Sequence, residues 1–186
     1  ERLSNGKRKI AVILSSGSVV DLAWEMQAQA ILYTTLAGQA QARAVVDTIT
    51  GKSCPCGKLT ETWPLCYEDT PAASYYKKDQ YDSLYKEALY VGYRYYSTVQ
   101  QMVRFPFGYG LSYTDFRYEQ LQISSEGVTF EIMNTGTYDG AEIAQLYVGK
   151  PEQVPWGPGR ELKGFVKIWL KSGEKKKVKI VFDDKT

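Results

Sequence analysis

The sequence predicts an α+β chain in two parts: α/β material first, then an antiparallel β-sandwich. Three observations carry this. The uninterrupted apolar run Ile10-Ala11-Val12-Ile13-Leu14 has the form of a strand buried on both faces of a parallel sheet. Ala42, Val45, Val46 and Ile49 then fall on one helical face. Beyond residue 115, only short alternating segments remain, bounded by turn residues.

Taken in order, residues 1–9 are polar and basic. The first strand ends in Ser15-Ser16-Gly17-Ser18, at the carboxyl end where α/β sheets place ligands. That turn has neither GxGxxG nor P-loop spacing and reads rather as a plain turn. Trp24 to Leu36 is ambiguous: helix by propensity, or a second buried strand at Ala30-Ile31-Leu32-Tyr33-Thr34. The helix from Gln39 closes at Gly51 in the C′ position. Ser53–Gly57 turns around Pro55, and Lys58–Pro64 is a short strand. A long polar loop spans Cys66 to Ser83, and Leu84–Ser97 is rich in tyrosine.

The change of character falls at residues 105–114, Phe-Pro-Phe-Gly-Tyr-Gly-Leu-Ser-Tyr-Thr. Gly108 and Gly110 permit φ > 0 and close backbone approach. Phe105, Phe107, Tyr109, Leu111 and Tyr113 need something to bury against, which a flexible linker does not offer. The stretch therefore reads as a pinned hinge between residues 1–104 and 115–186. After it come strands at Phe116–Ile123, around Val128, Phe130 and Ile132, around Ala144, Leu146 and Val148, at Leu162–Leu170, and at Lys177–Phe182. Five such strands argue an antiparallel sandwich of the immunoglobulin type.

Composition excludes several functions. A net charge of +2 gives no electrostatic footprint for nucleic acid. No apolar run approaches the ~20 residues of a membrane span. There is no histidine, so Ser-His-Asp and Cys-His catalysis have no base here. Cys54, Cys56 and Cys66 are an odd count, which favours free thiols and a cytoplasmic protein. A metal site built on Cys54-x-Cys56 and Cys66 lacks the usual CxxC spacing. The run Lys175-Lys176-Lys177 reads as a solvated strand edge.

A series of motifs then becomes recognisable. It includes Val12 to Ser18, Gly38-Gln39, Gly57-Lys58-Leu59-Thr60, Thr62-Trp63-Pro64 and Tyr90-Val91-Gly92-Tyr93-Arg94-Tyr95-Tyr96. It continues with Phe105 to Thr114, Asn134-Thr135-Gly136, Gly140-Ala141-Glu142, Gln145-Leu146-Tyr147-Val148 and Glu161-Leu162-Lys163-Gly164-Phe165. In this order the chain resembles the C-terminal region of family 3 glycoside hydrolases, the β-glucosidase and β-xylosidase family. The resemblance implies the end of a three-layer α/β sandwich followed by a fibronectin type III-like domain. It implies a parent enzyme whose catalytic barrel is the partner of this region and carries an Asp nucleophile. By the same resemblance, the acid/base Glu is expected in a segment upstream of residue 1. The substrate is an oligo- or disaccharide with a terminal β-linked sugar, and no cofactor is implied. Some members carry the barrel after these domains, and the Tyr-rich loop is similar to that order. Two places depart from the family: Ala40-Gln41-Ala42 stands where Glu-Gly-Gly is usual, and Cys54-Pro55-Cys56-Gly57 where Asn-Pro-Ser-Gly is.

Retaining glycoside hydrolysis needs two carboxyl groups about 5–5.5 Å apart. Glu61, Glu68, Asp69, Asp79, Asp82 and Glu87 are present, but none stands in a catalytic motif of the family. No catalytic residue is therefore assigned within this chain. Tyr75, Tyr76 and Tyr81 are the candidate substrate-binding residues, able to stack on sugar rings or simply to pack. Tyr90, Tyr93, Tyr95 and Tyr96 read as domain packing. The expected function is support of a β-glycosidase active site without chemistry of its own. A non-catalytic carbohydrate-binding or adhesion module is the alternative. Residues 115–186 supply five strands where a sandwich of this class has about seven, so two closing strands are expected outside the chain.

Overall fold

The computed structural model describes residues 9–76, 81–82 and 84–182. Two compact units divide between Lys52 and Ser53.

In the first unit, β1 (Ala11–Leu14) pairs in parallel with β2 (Ala30–Tyr33). The ambiguous segment is thus a strand, preceded by a single 3-10 turn at Glu25–Gln27. Helix α1 (Gln41–Ile49) follows, with Gly51 at φ 74° just beyond its end. The expectation of a strand buried on both faces is corrected. The exposure of β1 alternates, and Ile13 is 48% exposed. Alternate residues of a strand point to opposite faces, and the face carrying Ala11 and Ile13 is not covered by any other described element. Val46 and Ile49, on the apolar stripe of α1, are exposed as well.

In the second unit, β3 (Trp63–Pro64) pairs antiparallel with β4 (Val103–Phe105). The expected strand from Lys58 is shorter because residues 57–60 meet the hinge through only two backbone bonds. Leu59 N–H donates to the Tyr109 carbonyl at 2.8 Å, and Gly108 N–H donates to the Leu59 carbonyl at 2.7 Å. Helix α2 (Tyr93–Val99) starts after Gly92, whose φ is 58°.

All five expected sandwich strands are present: β5 (Phe116–Ser124), β6 (Gly127–Asn134), β7 (Gly140–Gly149), β8 (Arg160–Leu170) and β9 (Lys175–Val181). They form two antiparallel sheets, ordered β5-β6-β9 and β7-β8. Side chains alternate inward and outward along each strand. Val128, Phe130, Ile132, Ala144, Ile168, Leu170 and Ile180 meet between the sheets as the core. Phe116, Leu146, Val178 and Phe182 pack around it.

Candidate functional site

Residues 105–110 are held by ring contacts with their neighbours. Phe105 stacks on Tyr109 with centroids 5.0 Å apart and meets buried Trp63 edge-on at 6.2 Å. Phe107 lies 4.7 Å from the Tyr93 ring. The two glycines are needed for different reasons. Gly108 has φ 81° and lies under the Gln145 side chain. A Cβ on Gly110 would overlap the Gly57 carbonyl, which is backbone and has little room to move. Leu111 and Tyr113 do not bury as expected. Between them and after them, Ser112 is half-buried and Thr114 buried, so it is the small polar residues of this segment that face the protein.

The tyrosine-rich motif works as a clamp on the sandwich. Tyr93 Oη accepts from Leu162 N–H at 2.7 Å, and Tyr90 Oη accepts from Gly157 N–H at 3.0 Å. Thr98 Oγ1 accepts from Gly159 N–H at 2.9 Å. Arg94 Nη2 pairs with Glu161 at 3.3 Å. Tyr147 of β7 meets Tyr93 edge-on at 5.8 Å. These four polar contacts seat the Pro/Gly loop before β8 and the start of β8 itself. Tyr96 is buried against Tyr95, with centroids 5.3 Å apart. The motif tyrosines thus pack and position.

A second tie was not foreseen. Lys58 Nζ pairs with Glu142 of β7 at 3.1 Å, both side chains largely covered, and donates to the Gly110 carbonyl at 3.0 Å. Tyr118 Oη donates to the other Glu142 oxygen at 3.3 Å. Burial, then the Glu142 charge, pushes the Tyr118 phenol well above its ordinary range. Cys54 Sγ lies 3.1 Å from Ser112 Oγ. Lys58 and Glu142 both stand in quoted motifs, but nothing in the order of residues says that they meet.

None of the candidate sugar-stacking tyrosines lines the cavity bordered by β5 and β7. Tyr75 is half-buried, with Lys86 Nζ 4.9 Å from its ring centroid. Burial, then Glu87, raises its phenol pKa. Tyr76 is 58% exposed and Tyr81 93% exposed. Among the carboxylates, Asp69 accepts a hydrogen bond from Gln101 Nε2 at 2.8 Å, and Asp79 lies outside the described residues. Cys66 is exposed, and its thiol is pushed up first by a hydrogen bond with Asp69. Cys54, Cys56 and Cys66 are all free. Among the described residues, no three His, Cys, Asp or Glu side chains gather as a metal site. No helix there is long and apolar enough to cross a membrane. The geometry holds the tyrosine-rich segment and the sandwich together.

Comparison with known proteins decides the family. The model of the glycosyl hydrolase family 3 C-terminal domain matches residues 1–113. The chain belongs to glycoside hydrolase family 3. A fibronectin type III-like domain model matches residues 142–186 of this family 3 chain. An exo-α-(1→6)-L-arabinopyranosidase of Bifidobacterium breve is 38% identical, over 100% of this chain and 25% of that protein. A probable β-glucosidase I of Aspergillus fumigatus is 36% identical, over 99% of this chain and 23% of that protein. Among solved structures, β-glucosidase 3B from Thermotoga neapolitana in complex with glucose superposes with a TM-score of 0.89 at 37% identity. It covers 95% of this chain and 26% of that one. The chain thus spans about a quarter of the length of its family 3 relatives. Its matched first segment ends inside the aromatic hinge, at residue 113.

Proposed function

We propose that this chain is the non-catalytic C-terminal part of a retaining β-glycosidase of the β-glucosidase type, acting on terminal β-linked sugars. The catalytic barrel of the same enzyme supplies the nucleophile. The chain holds the surfaces against which that barrel and its substrate are placed. The observation that carries this is the clamp of Tyr90, Tyr93, Arg94 and Thr98 on residues 157–162. The most distinctive motif of the chain is spent on holding a loop and a strand in place, and the Tyr90 and Tyr93 hydroxyls accept backbone N–H groups of that loop and strand. Tyr75, Tyr76 and Tyr81 are the stacking residues for sugar in this reading, the last two with exposed rings. The three free thiols support a reducing compartment such as the cytoplasm.

The test is turnover of aryl β-glucosides by the purified 186-residue chain, its fold first checked by circular dichroism. The expected rate equals that of a boiled control. Turnover above the control that disappears in Glu68→Gln or Asp69→Asn would assign chemistry to this chain and overturn the reading.

A further inference from the structure

The loop between β7 and β8, residues 150–159, holds a bare indole ring in solvent. Trp156 is 68% exposed. Glu152, Gln153 and Pro155 beside it are exposed too, while Gly157 and Pro158 are buried. An indole on a loose loop gains free energy by folding back onto apolar surface. This loop is not loose. Gly157 N–H donates to Tyr90 Oη at 3.0 Å, and Gly159 N–H donates to Thr98 Oγ1 at 2.9 Å. Within the loop, Val154 N–H donates to the Pro151 carbonyl at 3.0 Å, and Lys150 Nζ donates to the Pro155 carbonyl at 3.4 Å. Gly157 holds φ 101°, a conformation that residues with a Cβ rarely adopt. The clamp thus fixes the residue next to the ring and leaves the ring itself outside.

A ring fixed in place before its ligand arrives loses little further freedom on binding. We propose that Trp156 is a stacking platform for one pyranose unit of a β-linked glucan chain, apart from the site of hydrolysis. A β-linked glucose unit keeps its hydroxyls at the rim of its ring and carries C–H groups on both faces. One such face lies flat on the indole, while the rim stays with water and polar side chains. Glu152 and Gln153 are the exposed hydrogen-bonding residues of the same loop. The choice of ligand rests on the reading above, that the parent enzyme acts on β-linked sugars.

Two observations select a neutral sugar. The first is size. Stable protein interfaces cover ~800 Å2 on each side and centre on a cluster of anchors. This loop offers one large ring among polar neighbours, which matches a single pyranose. The second is charge. Lys150 and Arg160, the cations at the two ends of the loop, are turned toward the protein. Lys150 bonds the Pro155 carbonyl, and the Arg160 guanidinium lies 5.2 Å from the Tyr147 ring centroid. Cations engaged in this way do not gather into a site for an anion, and the ring is left as the binding surface.

Affinity electrophoresis of the 186-residue chain tests the platform, in gels containing laminarin, hydroxyethyl cellulose or dextran. At least one of the two β-linked polymers is expected to retard the chain, and the α-linked dextran is not. Trp156→Ala is expected to raise the apparent Kd about 10-fold or more, and Trp156→Phe, which keeps a ring, about 3-fold. The ring lies outside the core, so both variants are expected to keep the circular dichroism spectrum and melting temperature of the unsubstituted chain. Tyr90→Phe keeps the indole but removes the acceptor for Gly157 N–H, and a weakening of about 3-fold is expected. Equal retardation of Trp156→Ala and the unsubstituted chain overturns the proposal, as does a chain that neither β-linked polymer retards. So does sedimentation showing a dimer that Trp156→Ala dissociates, which would make the ring a protein contact. Retardation lost in Trp156→Ala but kept in Tyr76→Ala and Tyr81→Ala supports the platform and removes tyrosine stacking from the functional reading. The opposite pattern keeps that reading and overturns the platform.

Discussion

Asn134 is the side chain on which the hinge and the sandwich most depend. It is fully buried, and all its polar capacity is used. Its Oδ1 accepts from Thr114 Oγ1 at 2.6 Å and from Gly136 N–H at 3.1 Å. Its Nδ2 donates to the carbonyls of Tyr138 at 2.8 Å and Leu170 at 3.3 Å. Asn134→Ala strands several of these partners without water, so a loss on the order of 3–4 kcal/mol is expected in urea unfolding. A loss under about 1 kcal/mol would show that the partners find other bonds. The charges on the outer faces behave differently because they are exposed. Glu119 is held below its usual carboxylate range, first by a hydrogen bond from Lys175 and then by Arg117. Lys175 is raised above its usual value by hydrogen bonds with Glu119 and then Glu131. A depressed carboxylate contributes stability above its unfolded value of 4.5 and loses it as pH falls through the folded one. A raised lysine contributes below 10.5 and loses it as pH rises past the folded value. Melting temperature against pH should therefore be flat between these limits and fall outside them. Glu119→Gln should flatten the acid limb, and an unchanged acid limb in that variant would contradict the assignment.

At the scale of elements, α2 and the hinge do the joining. Tyr93→Phe keeps the ring against Phe107 but removes the acceptor for Leu162 N–H. The expected cost is about 1–2 kcal/mol, with faster exchange confined to residues 157–162. Faster exchange throughout β6 instead would mean that the clamp is not local. Gly110→Ala forces a Cβ into the Gly57 carbonyl, and a loss of roughly 2–3 kcal/mol is expected in the same unfolding experiment. Neutral behaviour would show that residues 57 and 110 can separate freely. Much of this was legible from residue order and some was not. The five sandwich strands followed from alternation at Val128, Phe130, Ile132, Ala144 and Leu146, and Gly108 followed from the need for a positive φ. That the motif tyrosines pack was also readable. That Tyr93 meets Leu162, or Lys58 meets Glu142, was not, because such pairings are made by tertiary contact between distant segments and leave no local period. The β5 bulge was equally hidden, since one extra residue leaves the apolar pattern nearly unchanged.

At the scale of the whole molecule, the two units differ in how much they bury. Among the described residues of the first unit, Leu22 is the one buried apolar side chain, and Ile13, Val46 and Ile49 face outward. Residues 53–182 instead share the sandwich core, the hinge stack and the clamp. The central claim is that the end of the family 3 C-terminal segment, residues 53–114, and the fibronectin-like sandwich form one supporting body. Native-state hydrogen exchange on the 186-residue chain, run against urea, tests it most directly. Amides of residues 57–64 and 103–110 are expected to converge on the same opening free energy as those of β6 and β9, with β1 and β2 opening several-fold more readily. An opening of residues 57–110 well below that of β6, insensitive to urea, would show two independent pieces and contradict the account.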